Sequence, residues 1–599
     1  MAPLSPAREL AGETVLLTGG LGFLGSVVLE QLLRLTEVHR VYLLVRPKRG
    51  VVAAARVQRL LSSPLFHALH AAAGAPGGAD PFARVRAVEG DLGAPGLGLC
   101  AADAAALEAE VGLVIHAAAD LELDAPIHKT LRANYAGTRA LLQLAARMPR
   151  LRSLVFTSTY WVNNHLPRNT LVPEALHDLP LALAGGAPLR HDELVDALLA
   201  MPPAEADAQA AALMARLDFT SSYAFGKHLT EHLVAGWPLP RRVARAVVRP
   251  SLISALAGAP YPGWVSGYAG APGWIMGYSC GFFPSLSSMA FASDYALDLV
   301  PCDTVAALVI VAAAAGAAAA RAPGGAGPAC VYHAATAACH RLPITYAIKH
   351  MAAFWSANAP PLRLPGTRYV TYTREHSPSA WGLALGRWVT EAKIWLVGAA
   401  LTWAGKAREA RALANGFKAF SVQNSFRYNR SVVSCAARAA ALRDALSPGE
   451  AASWPCVFDR AAGADWDTYG YTFFAGLRAL LFKQPGDVAT AVPHRFVLRP
   501  AAAPEAAARI AAALAGGGGG GGAGASAGGS SAAGSSAAGS PRSSSAGASE
   551  SSEPGSEPGS EPGSEPGSPA AGARAAALGK GCPAGPAARA RRAAVRAAR

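Results

Sequence analysis

Tyr223 and Lys227 stand four residues apart in Ser221-Ser-Tyr223-Ala-Phe-Gly-Lys227, and upstream the apolar run Leu154-Val-Phe-Thr-Ser158-Thr159-Tyr160 ends in hydroxyls. On a helix, a spacing of four places two side chains on one face. A lysine ammonium in that position lowers the pKa of a neighbouring phenol. The phenol can then give a proton to an oxygen, while a hydroxyl at the strand end hydrogen-bonds the same oxygen as charge develops on it. Thr159 is assigned to that contact; Ser158 and Thr157 are alternatives, because strand register is fixed only to within a residue. Alone, Tyr-x-x-x-Lys usually marks no more than a helix surface, so its weight comes from what precedes it.

What precedes it is a strand, a glycine turn and a helix. Glu13-Thr-Val-Leu-Leu-Thr18 reads as a short buried strand, and Gly19-Gly-Leu-Gly22-Phe-Leu-Gly25 leads into the apolar helical stretch Val27–Leu35. Glycines at 19, 22 and 25 let the backbone turn tightly, let a pyrophosphate approach the helix N-terminus and let helix and strand pack closely. About twenty residues on, Val41-Tyr-Leu-Leu-Val-Arg46-Pro-Lys48 reads as a second strand that ends in cations. An acidic residue there would bond the free ribose hydroxyls of NAD, whereas Arg46 with Lys48 would pair with the 2′-phosphate of NADP. NADPH is therefore the expected cofactor and hydride donor. Val85–Asp91 and Val111–Ala119 read as later strands, with Asp91 placed to bond the adenine amino group. His116 reads as a packed strand-end histidine, and Asn134 either orders the site by a hydrogen bond or caps a helix or turn.

These elements imply an α/β fold: a doubly wound parallel sheet of Rossmann type over residues 12–335. A mostly helical, Trp-richer part is expected over 336–500. Residues 515 to about 568 are Gly, Ala and Ser followed by a Ser-Glu-Pro-Gly repeat, a composition unable to bury enough apolar surface to offset chain entropy. The stretch 515–599 is therefore expected to be a disordered tail.

The chain has 599 residues, 51% of them hydrophobic, and a formal charge of +14. Much of that excess is local: between Pro569 and Arg599 there are seven Arg and Lys and no acidic residue. The basic residues lack interleaved aromatics, so no nucleic-acid partner is expected; anionic ligands or an anionic membrane surface suit the excess better. The eight cysteines are scattered singly, so neither a disulfide framework nor a metal site is expected. Met1–Gly12 carries no apolar leader, and the default expectation is a reducing compartment facing the cytosol. Two apolar stretches invite a membrane test. Val305–Ala320, behind the helix-capping Asp303, is mainly alanine and reads as a buried sheet-flanking helix. Ile394–Ala404, bracketed by Trp395 and Trp403, reads first as a core helix and second as an interfacial segment.

The ordered motifs resemble those of fatty acyl-CoA reductases, within the extended short-chain dehydrogenases. The resemblance rests on Thr18-Gly-Gly-Leu-Gly-Phe-Leu-Gly25, on Val41 to Lys48, on Asn134-Tyr-Ala-Gly-Thr138, on Ser158-Thr-Tyr-Trp-Val-Asn163 and on Tyr223-Ala-Phe-Gly-Lys227. It continues through Val248-Arg-Pro-Ser251, Pro262-Gly-Trp264 and Gly270-Ala-Pro-Gly273, and ends in Phe417-Lys-Ala-Phe420 and Asp465-Trp-Asp-Thr-Tyr469, which look like the family's C-terminal, male-sterility-type domain. An insertion over 166–219 is also of the family's kind.

The resemblance implies Thr159, Tyr223 and Lys227 as the catalytic set. It implies cofactor contacts from Thr18, Gly19, Gly22, Phe23, Leu24, Gly25, Arg46, Lys48, Asp91, Leu92, Asn134, Tyr223 and Lys227. The implied reaction is NADPH-dependent reduction of a long-chain acyl-CoA through an aldehyde to a fatty alcohol. The implied location is peripheral, at the cytosolic face of the endoplasmic reticulum or a peroxisome. The rivals are an aldehyde-forming enzyme, another extended dehydrogenase acting on a sterol, flavonoid or nucleotide sugar, and a non-catalytic scaffold.

Overall fold

Short apolar runs separated by helical stretches fold as parallel strands. The structure, a computed structural model, describes residues 3–484 except 77, 169, 269, 325, 362, 426–431 and 462. The tail expected over 515–599, and residues 485–500 of the expected C-terminal part, lie outside the described residues.

Seven strands build the main sheet: β1 (Thr14–Thr18), β2 (Arg40–Val45), β3 (Val85–Glu89), β4 (Leu113–His116), β5 (Ser153–Thr157), β6 (Ala244–Pro250) and β7 (Cys330–Ala334). Their order across the sheet is β7-β6-β5-β4-β1-β2-β3, and every neighbouring pair is parallel. This is the expected doubly wound sheet. Its strand order reverses between β1 and β4, and there the crevice beyond the strands' carboxyl ends opens.

The helices used below are α1 (Phe23–Leu35), α2 (Gly137–Ala145), α3 (Ser222–Gly236), α4 (Ala271–Ser279), α5 (Cys302–Arg321), α6 (Ile344–Ala357), α7 (Ala380–Trp403), α8 (Ala407–Gln423) and α9 (Trp466–Leu480). Among the described residues, α5 is the one helix long and apolar enough to cross a bilayer, and it is packed inside, as expected for Val305–Ala320. Val305, Leu308, Val309, Ile310 and Val311 are all fully buried, each contributing about 1.5–3 kcal/mol relative to exposure. Its small residues have a reason: a Cβ on Gly316 would lie 3.1 Å from the Ala244 methyl and against the Ser153 hydroxyl, so the helix rides tightly on β5 and β6. Asp303 sits inside the first turn of α5, and its carboxylate accepts the N–H groups of Ala257 (3.0 Å) and Gly258 (2.8 Å). It ties down the loop after β6 as well as starting a helix.

α7 departs from the core-helix reading of Ile394–Ala404. Its buried residues are Gly386, Thr390 and Ile394, whereas Trp381, Trp388, Trp395 and Trp403 are 79%, 66%, 71% and 93% exposed. The sequence carries Trp where a core helix would carry Leu, and those rings face outward.

The later helices are not packed apart from the sheet. Ala436, Ala439, Trp454 and Val457 share one apolar core with β1, β2 and α5. The loop Pro262–Trp264 is the hinge of this arrangement. Gly263 has φ +79°, a Cβ there would meet the Thr472 carbonyl at 2.5 Å, and Gly476 of α9 abuts the Gly263 backbone. Only glycine allows these two backbones to come so close. Trp264 in turn packs on Phe23, ring centroids 5.5 Å apart, so α9 is carried to the mouth of the β1 crevice.

Candidate active site

The glycine turn is built to receive a phosphate-bearing group. Gly19 has φ +75°, and a Cβ there would sit 2.6 Å from the Ala118 nitrogen at the end of β4. A Cβ on Gly25 would run into the Gly19 carbonyl, so neither position admits a side chain. Between them the Gly22 N–H donates to the Gly19 carbonyl at 2.8 Å, and α1 begins at Phe23 without a side-chain cap, its first turn lining the cavity. Thr18 closes the turn from behind. The Thr138 hydroxyl donates to the Asn134 carbonyl at 2.5 Å and accepts from His116 Nε2 at 2.9 Å, which leaves His116 Nδ1 to accept from Thr18 at 2.6 Å. The Ala118 N–H also reaches Thr18 Oγ1, at 3.3 Å. Burial pushes the His116 pKa down to about 3, with Lys227 adding to the fall, so the ring stays neutral and acts as a strut.

Asn134 lies in a widened helical turn, Leu131–Ala136, just before α2. Its amide grips the Asp120 backbone on both sides, accepting the Asp120 N–H at 2.8 Å and donating to the Asp120 carbonyl at 3.0 Å. It clamps the chain leaving β4 and does not cap a helix. At the outer end, Arg46, largely exposed, and Asp91, partly exposed, face each other at 3.6 Å. The Asp91 carboxylate also accepts the Gly93 N–H at 3.0 Å. Lys48 forms a tight turn with Val51. Leu92 packs beside Gly137 of α2, where a Cβ would come within 3.0 Å of it.

Tyr223 and Lys227 occupy the first turns of α3, which is capped by the Ser221 hydroxyl accepting the Ala224 N–H at 3.1 Å. Tyr223 is buried, and among the strand-end hydroxyls it is Thr159 that acts on its phenol. Thus Thr159, rather than Ser158 or Thr157, stands opposite the phenol. Burial raises the Tyr223 pKa, and the Thr159 hydrogen bond opposes that rise. Lys227 Nζ donates to the Thr157 carbonyl at 2.9 Å and lies 4.4 Å from the centre of the Phe156 ring. Burial pushes its pKa down to about 7, against the pull of Glu231. The expected lowering of the phenol by a nearby ammonium is not what this geometry sets up. Desolvation governs both groups, and the phenol's partner is a hydroxyl.

Above this set lies a cavity of about 530 Å³. The glycine turn, Thr157–Trp161, Tyr223 and Lys227 form its floor; Trp274, Ile275, Phe291, Met351, Phe473 and Phe474 form an apolar wall. Thr157 Oγ1 and Ser158 Oγ are buried without a hydrogen-bond partner, which is unusual for buried hydroxyls and suits polar atoms of a bound molecule. Sequence reasoning missed Asp298. It lines the cavity, is buried, accepts the Thr336 N–H at 2.7 Å, and has its pKa raised by burial. Its signal was one carboxylate inside the apolar run Ala296-Leu-Asp298-Leu-Val300.

Sequence reasoning also missed histidines. The chain was read as lacking a cluster at metal-ligand spacing, yet His191, His228 and His232 bring their ring nitrogens within 4.8 Å of one another. The local signal was His228-x-x-x-His232 on α3; His191 arrives from the insertion, at a distance in sequence that no spacing rule reaches.

Sheet, glycine turn and strand-end hydroxyls together define a nicotinamide-dinucleotide-binding domain. Residues 17–309 match the NAD-binding family described as male sterility protein. The chain is 28% identical over 304 residues to fatty acyl-CoA reductase 2 of Homo sapiens, covering 51% of this chain and 55% of that protein. It is 30% identical over 299 residues to fatty acyl-CoA reductase 1 of Pongo abelii, covering 49% and 53%. The chain thus matches about half the length of these curated relatives. Among solved structures, the reductase domain of a nonribosomal peptide synthetase from Mycobacterium tuberculosis aligns with TM-score 0.49 and 19% identity, over 80% of this chain and 94% of its own. The resemblance to fatty acyl-CoA reductases drawn from the motifs is borne out over the dinucleotide-binding part.

Proposed function

We propose that the protein is an NADPH-dependent reductase that converts a long-chain fatty acyl-CoA to the fatty alcohol through an aldehyde, releasing coenzyme A. The observation that carries this reading is that Thr159 and Tyr223 line the same apolar cavity, together with the glycine turn. The glycine cradle, in which no Cβ fits at Gly19 or Gly25, and the unpartnered Thr157 and Ser158 hydroxyls suit a dinucleotide. Arg46 and Lys48 at the end of β2 favour its 2′-phosphorylated form.

A bound reduced nicotinamide supplies the hydride. Thr159 and Tyr223 hold the thioester carbonyl oxygen between two hydroxyls, and Tyr223 gives it a proton as the carbonyl carbon is reduced. The resulting hemithioacetal breaks its carbon–sulfur bond; the thiol leaves with a proton and an aldehyde remains. The same two hydroxyls hold the aldehyde oxygen for a second reduction, and Tyr223 again supplies the proton. Lys227, titrating near neutrality one helical turn away, is placed to replenish the phenol. The apolar wall favours an acyl chain over a nucleotide sugar, and the buried floor keeps water from the aldehyde.

The exposed tryptophans of α7 support peripheral attachment to a membrane surface, since Trp381, Trp388 and Trp395 recur every seven residues along one stripe and indole rings settle at the lipid–water boundary. The cytosolic face of the endoplasmic reticulum or a peroxisome is the proposed location. The deciding experiment is palmitoyl-CoA-dependent NADPH oxidation in detergent with extracted products identified. Hexadecanol is the expected product. Hexadecanal alone would make this an aldehyde-forming enzyme, and no acyl-CoA dependence across chain lengths would sink the reading.

A further inference from the structure

Away from the reductase cavity, histidines gather where the 166–219 insertion meets the outer face of α3. His228 and His232 lie one turn apart on α3, and His191 begins the helix His191–Ala200. The rings of His191 and His232 stack at 3.8 Å, and those of His228 and His232 lie 4.8 Å apart. Such crowding of imidazoles needs a reason, because a buried ring nitrogen normally has a partner. Here His228 Nε2 and His191 Nε2 have none, and His228 is 1% exposed.

His232 is already oriented. Its Nε2–H donates to the His177 carbonyl at 3.1 Å, which leaves the lone pair on Nδ1, 3.7 Å from the Asp178 carboxylate. A backbone carbonyl holding the far nitrogen is how metal-ligating histidines are commonly fixed. The buried cation on this side, Arg249, is paired with Glu231 in a two-pronged ion pair of 2.9 and 2.7 Å, which offsets its repulsion of a second cation.

We propose that His191, His228 and His232, closed by Asp178, bind one zinc-class divalent cation that fastens the insertion to the helix carrying Tyr223 and Lys227. Three imidazoles and a carboxylate suit tetrahedral Zn²⁺, with Zn–N of about 2.0–2.1 Å. Bond lengths of that size put ligand nitrogens about 3.4 Å apart, closer than the 4.8 Å limit found here. The set closes by side-chain rotation of His191, which unstacks from His232, and of the exposed Asp178. Four protein ligands leave no open position, so the role is structural.

The test uses the full-length, tag-free chain, stripped with a chelator and titrated with zinc chloride, with metal content read after desalting. Expected are one zinc per chain and a rise in Tm, and with cobalt(II) chloride the visible absorption of a tetrahedral site. His191→Asn, at a partly exposed helix start, is expected to weaken zinc binding at least about tenfold and to abolish the Tm rise. Asp178→Asn is expected to have a smaller effect of the same sign. Zinc bound only in excess of one per chain without saturation, or saturable binding that both variants leave unchanged, overturns the proposal. Neither readout depends on the reductase reading.

Discussion

Lys227 Nζ donates to the Thr157 carbonyl at 2.9 Å, so the second residue of the Tyr-x-x-x-Lys pair is held by the end of β5. The strand that presents Thr159 and the helix that presents Tyr223 are thereby locked in register. Both residues then line the same cavity.

If Tyr223 is the proton donor, Tyr223→Phe keeps the ring in its buried place and removes only the hydroxyl. Turnover with palmitoyl-CoA is expected to fall by about 10²–10⁴, while the NADPH dissociation constant, read by fluorescence titration, stays within twofold. A variant with turnover near wild type would remove Tyr223 from the chemistry.

The depressed Lys227 pKa has a consequence for stability. An unfolded lysine keeps its proton to its ordinary value of 10.5, whereas the folded one gives it up from about 7. Between those values the unfolded chain binds more protons, so stability rises with pH across that window and the cost of the buried ammonium is complete below it. Without dinucleotide, Tm is expected to climb from pH 7 to 9 more steeply in the wild type than in Lys227→Met. Equal slopes would place the lysine's titration elsewhere.

Arg46 is largely exposed and faces Asp91 at 3.6 Å, an ion pair worth little in itself. Its proposed task is the 2′-phosphate. Arg46→Ala is expected to raise the NADPH dissociation constant by about ten- to a hundredfold, a charged hydrogen bond contributing about 1.5–3 kcal/mol, and to leave NADH unaffected. A parallel loss for both dinucleotides would show that Arg46 only shapes the end of β2.

The Asn134 amide satisfies both backbone groups of Asp120. Asn134→Ala strands them, and the expected loss of stability is about 1–3 kcal/mol, measurable as a lower urea midpoint with unchanged slope. A neutral result would mean that water replaces the amide there.

The sheet was legible because β1, β3 and β5 each end an apolar run in a glycine or hydroxyl residue, with helical spacing after it. The glycine turn was legible for the same reason, since Gly19 and Gly25 are demanded by contacts within a few residues. The wall of the cavity was not. Phe473 reaches it only because Gly263 and Gly476 let two distant backbones touch, and nothing near either glycine announces the other. Asp298 and His191 escaped in the same way, their partners being Thr336 and residues of α3. Hydropathy misjudged α7 because it reports how apolar a helix is, not which way its tryptophans face.

The cavity's floor comes from β1, β5 and α3, but part of its wall comes from α9, more than two hundred residues later. As the chain emerges during synthesis, the phosphate cradle is therefore made long before the chamber above it is sealed. A chain ending before Trp466 would lack the part of the apolar wall that Phe473 and Phe474 supply. The reaction chamber is complete only once α9, among the last described elements of the chain, is in place.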